Sequence, residues 1–567
     1  MVRLVALVPF CALPLAVAAA AAEQHEHANE PPPPRPGLRR VLVVARHGNR
    51  APNPQITMLC PNLAQDILPK FGVAPAALSR VGMAENWENG RFLRHRYSDF
   101  LPEGPYLYDG TFSFFSERVE RNIVSTASLA RGMFPIGTGM EGFSPERPNI
   151  VPISTTQDGA DVLMNCPRDG PCQRRLSHDK REWDAAHEHH LYEKHKELFG
   201  KISEACGYKL EPGNFMWEGK PKSLTWALKA VMDGFSFSEN EGLNITMGGR
   251  LQMSTIREFH DVVEGMVADQ IFGKPHQITY WTGDFIPTIL GLARVPFKRP
   301  VNKFHVFLNH RELIYAIAHM LGIPIHFPGL REDSLPSGCS MVIEVYDDGV
   351  RLFMWAPTRP DPARKAKHLE EKRPMTELYS HGTFLPVKAD GCPIGELCPV
   401  DQLAFSFVKW VTKTGTYVRL CNVSLEERYF AQGEASLGIV ERWVQPDAMQ
   451  ALARKRNLTL PEGLSADPSE LLGFTEADQE ALGPNAMSAV PTLMSPELWA
   501  SDIVETGEDL LQAGSDAVGR AVSKEPSWVT MFVAVALPTS LLSGYLGWRL
   551  GRRPPATTDT AAYVSLC

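Results

Sequence analysis

The seven residues Arg46-His47-Gly48-Asn49-Arg50-Ala51-Pro52 concentrate more reactive chemistry than any other stretch of this chain. Arg46 and Arg50 present planar guanidinium forks that match phosphate oxygens and stay charged at any working pH. His47 lies between them, and a neutral imidazole is a nucleophile. Gly48 lets another backbone come close, and Pro52 stiffens the exit. The spacing Arg-His-Gly-x-Arg-x-Pro points to phosphoryl transfer onto a histidine gripped by two arginines.

Such a loop needs a strand behind it. The run from Arg40 to Ala45 is short, β-branched and flanked by charge, as a buried strand would be. A loop leaving a strand's carboxyl end is where α/β sheets place ligands. Helical spacing runs from Ser79 to Phe100 with Ser79 as N-cap, and again from Arg118 to Phe134, ended by Pro135. Lys303 to Leu308 reads as another buried strand, followed by an apolar helix from Glu312 to Leu321 that Gly322 and Pro324 stop. Met341–Tyr346 and Val350–Trp355 flank Asp347-Asp348-Gly349, a hairpin pattern. The alternation predicts an α/β fold: a central, mostly parallel sheet flanked by helices, with an inserted helical cap at roughly residues 160–260.

The same segments resemble the histidine acid phosphatases, branch 2 of the histidine phosphatase superfamily. The resemblance starts at Arg46–Pro52 and continues through Leu78-Ser-Arg-Val-Gly-Met83, Gly90–Tyr97 and Glu120-Arg-Asn-Ile-Val-Ser125 with Phe134-Pro135. It extends through Asn309-His-Arg-Glu312, Gly391–Pro399 and Cys421, covering residues 38–423. It implies hydrolysis of phosphomonoesters without metal or other cofactor, through a phosphohistidine on His47, with Arg46, Arg50 and His310 binding phosphate. By the family's His-Ala-Glu form, Glu312 would protonate the leaving oxygen and then activate water. Arg311 replaces the alanine. Phe115 stands where the family has a third phosphate-gripping arginine, which makes Arg118 the nearest candidate replacement. Narrower readings on the same fold are an inositol-polyphosphate or lysophosphatidate phosphatase. A catalytically weak membrane receptor or adhesion protein is the reading from another class.

The 567 residues carry 57 basic and 65 acidic side chains, so no basic excess points to nucleic acid. Arg3 and the apolar run to Ala22 read as a signal peptide, residues 1–22, before a proline-rich linker over 23–37. Trp528–Trp548 is uncharged, followed by Arg549, Arg552 and Arg553, as in one transmembrane helix with a cytosolic tail over 549–567. Residues 424–527 read as a lumenal or extracellular stalk. These features predict a single-pass type I membrane protein. In the tail, Tyr563-Val-Ser-Leu566 fits a signal for cytosolic sorting adaptors, which would place the protein in endosomes, in lysosomes or at the cell surface.

Eight cysteines lie in the predicted exported body, with sequons at Asn244, Asn422 and Asn457. Matching the family's positions implies the pairs Cys166–Cys421, Cys206–Cys339 and Cys392–Cys398, leaving Cys60 and Cys172 for a fourth. Two other patterns carry no site. Gly137-Thr-Gly-Met-Glu-Gly142 matches a dinucleotide loop, but Pro145 and Pro148 forbid the helix it requires. His178, His187, His189, His190 and His195 lie among many charges without metal-ligand spacing and read as a solvated helix, with no metal expected.

Overall fold

Strand β1, Leu38–Arg46, has its residues from Val41 to Ala45 wholly shielded from solvent, so it must lie inside a sheet covered on both faces. A computed structural model describes residues 33–423 apart from 107, 157, 214, 295–302, 329, 331–333 and 380. In it β1 is the centre of a seven-stranded sheet. The other members are β2 (Phe112–Ser116), β3 (Ser154–Thr155), β6 (Phe304–Asn309), β7 (Ser340–Tyr346), β8 (Val350–Pro357) and β9 (Gly382–Pro386). A separate hairpin joins β4 (Phe215–Trp217) to β5 (Lys220–Lys222).

The sheet order is β3-β2-β6-β1-β7-β8-β9. The pairs β3–β2, β2–β6 and β6–β1 are parallel, whereas β1–β7, β7–β8 and β8–β9 are antiparallel. The expectation of a mostly parallel sheet is thus corrected to a mixed one. The reason is local: the Asp347-Asp348-Gly349 turn is too short for a crossover, so β8 has to return beside β7.

Because side chains alternate across a strand, β1 feeds two cores. Val41, Val43 and Ala45 pack with Leu93, Tyr97, Phe114 and Leu129, beneath the helices Arg80–Arg96 and Glu120–Met133. Leu42 and Val44 share the opposite core with Ile314, Ile317, Trp281 and Leu403. Each fully buried valine or leucine contributes about 1.5–3 kcal/mol relative to exposure. The helix starts follow their caps. The Ser79 side chain accepts from the Gly82 amide, and helix Arg311–Leu321 ends where Gly322 turns left-handed at φ 64°.

A third apolar core joins helices Gln173–Cys206, Leu224–Glu241 and Met253–Phe272 to the short helices Ile56–Leu59 and Pro61–Phe71. Residues directly downstream of the arginine-histidine loop therefore pack with a helical layer more than a hundred residues away. The Gly137–Gly142 segment forms turns, and His187 stacks on Trp183 with its ring centroid 4.7 Å away on the solvated side of its helix.

Cystine pairing differs from the expectation. The bonds are Cys60–Cys206, Cys172–Cys421 and Cys392–Cys398, leaving Cys166 and Cys339 as buried thiols. Cys206 and Cys339 belong to different cores, which keeps them apart; Cys60 packs in the same helical core as Cys206 and takes it instead. Cys166 sits 3.4 Å from the Cys172 sulfur, and Cys172 holds the bond to Cys421 that was assigned to Cys166.

Among the described residues no helix is long and apolar enough to cross a membrane. The predicted signal peptide, most of the proline-rich linker, the stalk, the span at 528–548, the tail with Tyr563, and Asn457 all lie outside the described residues. Asn244 and Asn422 are exposed.

Candidate active site

Register brings the sequence-predicted groups together. Arg46 on β1 stands opposite Asn309 on β6, and Ser116 on β2 stands opposite Leu308, so three parallel strands end along one edge. The loop from His47, the His310–Glu312 segment and the Glu117–Arg121 segment leave from that edge. Backbone bonds fix the loop: His47 N–H donates to Asn309 O at 3.0 Å, and Gly338 N–H donates to His47 O at 3.1 Å. Gly48 N–H donates to Ser125 Oγ at 3.2 Å. Gly48 and Gly82 touch backbone to backbone, and a Cβ on either would run into the other segment's carbonyl oxygen.

His47 is buried, with Nδ1 2.8 Å from the Gly48 carbonyl oxygen. A carbonyl only accepts, so Nδ1 carries the proton and the Nε2 lone pair is free. Burial, then the charges of His310, Arg121, Arg46 and Arg50, holds its pKa well below the ordinary 6.5. These surroundings favour the neutral imidazole.

Arg46 is anchored by its Nη1 to Leu335 O, while its buried Nε has no partner. The Nε of Arg121 is likewise buried and unpaired. Arg50 lies over the Phe237 ring at 4.2 Å and donates to Asn53 Oδ1 at 2.9 Å and Asp233 Oδ2 at 3.3 Å. Burial pulls its pKa down to about 9, which leaves it cationic at acidic and neutral pH. Buried N–H groups without acceptors are costly unless an anion completes them, and a phosphate would.

His310 meets His47 edge-on, with ring centroids 5.1 Å apart. Its Nε2 lies 3.6 Å from Glu117, 3.4 Å from Asn122 Nδ2 and 3.5 Å from Arg121 Nη2. Burial lowers the His310 pKa against the pull of Glu117. Burial acts the other way on Glu117, but bonds from His310, Asn165 and the Val119 amide bring its carboxyl down to about 2.

Glu312 begins the helix after β6 and is buried. Its Oε1 accepts from Arg168 Nη2 at 2.6 Å. Arg311 is no exposed pair: it reaches Glu264 of the helical layer at 2.6 Å and is largely buried. Two further cap residues face the site. Lys229 pairs with Asp233 at 2.9 Å, and burial with the nearby Arg168 and Lys229 brings Lys180 down to about 8.

Arg118 is the misplaced member. It turns outward, half-exposed, to Asp158 and to Asp169 at 2.6 Å, so it does not fill the place of the third arginine. Phe115 lies flat on Phe307 at 5.5 Å in the apolar core. Sequence reasoning assigned no role to Glu117, Arg121, Arg168, Lys180, Lys229 or Asp233. Arg121 lay in a quoted motif and opens a predicted helix, which was the available signal. The other five come from segments without a recognisable pattern.

Residues 37–212 match the family model described as the histidine phosphatase superfamily (branch 2). Human lysosomal acid phosphatase is 31% identical over 141 residues, 24% of this chain and 30% of the relative. Bovine prostatic acid phosphatase is 31% identical over 143 residues, 23% of this chain and 33% of the relative. The aligned segment thus spans about a third of the curated relatives it matches. The phytase of Hafnia alvei in complex with tartrate superposes with a TM-score of 0.50 at 16% identity, covering 68% of this chain and 98% of that one. Its apo form gives the same TM-score over 67% and 98%. These superpositions show a shared fold. Residues 37–212, which carry the loop around His47, are thus similar to the histidine phosphatase superfamily, branch 2.

Proposed function

We propose that this protein is an acid phosphatase that hydrolyses phosphomonoesters through a phosphohistidine on His47. The observation that carries this reading is a neutral imidazole, its Nδ1 proton tied to Gly48, amid buried guanidinium groups with unpaired N–H donors. Nε2 attacks phosphorus, an N–P bond forms, and the ester P–O bond breaks. Glu312 passes a proton to the leaving oxygen, then takes one from the water that attacks the phosphohistidine and frees phosphate. Arg46, Arg50 and His310 bind the phosphoryl oxygens throughout.

The named relatives are lysosomal and prostatic acid phosphatases, which supports an exported setting. Three disulfides in the described residues support the same, since an oxidising compartment preserves them. A type I membrane anchor at 528–548, glycans at Asn244, Asn422 and Asn457, and adaptor binding at Tyr563 complete the proposal. The test is p-nitrophenyl phosphate hydrolysis at pH 5 with chelator present, together with alkaline-quench trapping. Wild type should turn over and trap an acid-labile phosphoenzyme, and His47→Ala should do neither. Equal rates in the two would overturn the reading.

A further inference from the structure

The peptide group between Gly48 and Asn49 is bonded at both ends. Its carbonyl oxygen lies 2.8 Å from His47 Nδ1 and takes that proton. Its N–H, on Asn49, donates to Glu85 Oε2 at 2.7 Å. Imidazole, peptide and carboxylate therefore stand in one line of two hydrogen bonds. Glu85 is 1% exposed and sits one turn after Gly82, the residue whose backbone touches Gly48.

The carboxylate is held from three directions. Besides the Asn49 amide, Ser337 Oγ donates to its Oε1 at 2.8 Å and Asn240 Nδ2 at 3.0 Å. Asn240 Nδ2 also reaches Ser337 Oγ at 2.6 Å, so these two donors fix each other. Among the described residues the bonding partners of Glu85 are all donors, a set that an ionised carboxylate satisfies as acceptor. Lys365, whose Nζ donates to Asn240 O, is the nearby buried cation. The donors come from the nucleophile's loop, the segment before β7 and the last turn of the cap helix Leu224–Glu241. Ser337 is followed by Gly338, whose N–H donates to His47 O at 3.1 Å. A single buried side chain thus ties together the pieces that surround the histidine.

We propose that Glu85 is the positioning residue of the nucleophile, acting on His47 through the Gly48–Asn49 peptide. This rests on the acid phosphatase reading. A peptide is a conjugated group, so an anion at its N–H pushes electron density onto its carbonyl oxygen. The more negative oxygen binds the Nδ1 proton more strongly, keeps the imidazole in one tautomer and strengthens the Nε2 lone pair. A carboxylate bonded straight to an imidazole orients the histidine of serine hydrolases and stabilises its imidazolium. Here one peptide stands between them. As Nε2 forms its bond to phosphorus and the ester P–O bond breaks, positive charge develops on the ring, and the line of bonds spreads it towards Glu85. The Nδ1 proton stays in place throughout, and the ring returns to neutral when water breaks the N–P bond.

Glu85→Gln isolates the charge. It keeps the size and an oxygen for the Asn49 amide, and the buried Asn240 Oδ1, which has no partner, can meet the new NH₂ group. With the full chain, radiolabelled p-nitrophenyl phosphate and rapid alkaline quench, phosphoenzyme formation should slow about three- to tenfold, as when a charge-assisted bond becomes a neutral one. The inhibition constant of inorganic phosphate should stay within about twofold, because the guanidinium groups are untouched. Proton NMR supplies a readout that needs no turnover. In wild type the His47 Nδ1–H resonance, identified by its loss in His47→Asn, should lie downfield of an ordinary neutral imidazole and move upfield in Glu85→Gln. Glu85→Ala, which strands the Asn49 amide, should slow phosphoenzyme formation further. A glutamate that only supports the fold would leave both the rate and the resonance of Glu85→Gln unaltered, and either result overturns the inference. So does a loss that appears in phosphate inhibition instead of the rate, or a wild-type resonance at the ordinary position. Absence of any phosphoenzyme in wild type would instead sink the acid phosphatase reading.

Discussion

The sheet side and the cap side of the site are charged in opposite styles. On the sheet side, Arg46, His47 and Arg121 are held by short backbone segments at strand ends, and buried N–H groups of both arginines point at no acceptor. On the cap side, two cations are already partnered: Arg168 with Glu312 and Lys229 with Asp233. An unpaired donor gains its full desolvation energy back when an anion arrives, whereas a paired cation must first give something up. In the proposed phosphatase, a phosphoryl group would therefore bind the sheet side at less cost than the cap side.

Three measurements would break or sharpen that contrast. The largest effect should come from the sheet side. Arg46→Ala removes a guanidinium whose buried Nε has no partner and should lower kcat/KM by about 10²–10³ at pH 5. A loss below tenfold would mean that the two sides are not distinct. An intermediate effect should appear in stability against pH. His47 is held neutral far below its ordinary 6.5, so the unfolded chain binds the proton first and stability falls as pH drops below 6.5. Glu117, lowered to about 2, adds a second loss as pH falls below 4.5. His47→Asn should flatten the first part of the curve by a few degrees of Tm between pH 6.5 and 5, seen by differential scanning calorimetry. The same slope in both proteins would show that the imidazole is not held neutral. The smallest effect belongs to Arg118→Ala. Its ion pairs are half-exposed and outside the site, so kcat/KM should stay within about twofold of wild type.

The same contrast explains what could be read from the sequence. Residues 46–52 are contiguous, and a strand followed by a glycine-containing loop has few ways to fold, so Arg46, His47 and Arg50 were legible. His310 and Glu312 were legible because a β-branched run precedes them and a capped apolar helix follows. The β7–β8 hairpin was legible from its Asp347-Asp348-Gly349 turn, but the antiparallel pairing of β7 with β1 was not, because a buried strand has the same composition whether its neighbour is parallel or antiparallel. Arg168, Lys229 and Asp233 were hidden for another reason. They stand 122, 183 and 187 positions beyond Arg46, on cap elements whose placement depends on packing rather than on local spacing. Cys392–Cys398 formed as expected, but the two long-range pairs failed likewise: positions transferred from a family say which cysteines exist, and Cys60 took Cys206 because both fell into one core.

The contact of Gly48 with Gly82 makes two distant positions a single genetic unit. Their backbones already touch, so a methyl group at either must push the nucleophile's loop off the helix that supports it. Neither position can compensate for the other, because both already carry the smallest side chain available. In a random library, alleles at 82 should therefore fall into the same null class as alleles at 48. No second-site change at the partner should rescue them, and the reachable sequence space around this loop is narrower than its seven residues imply.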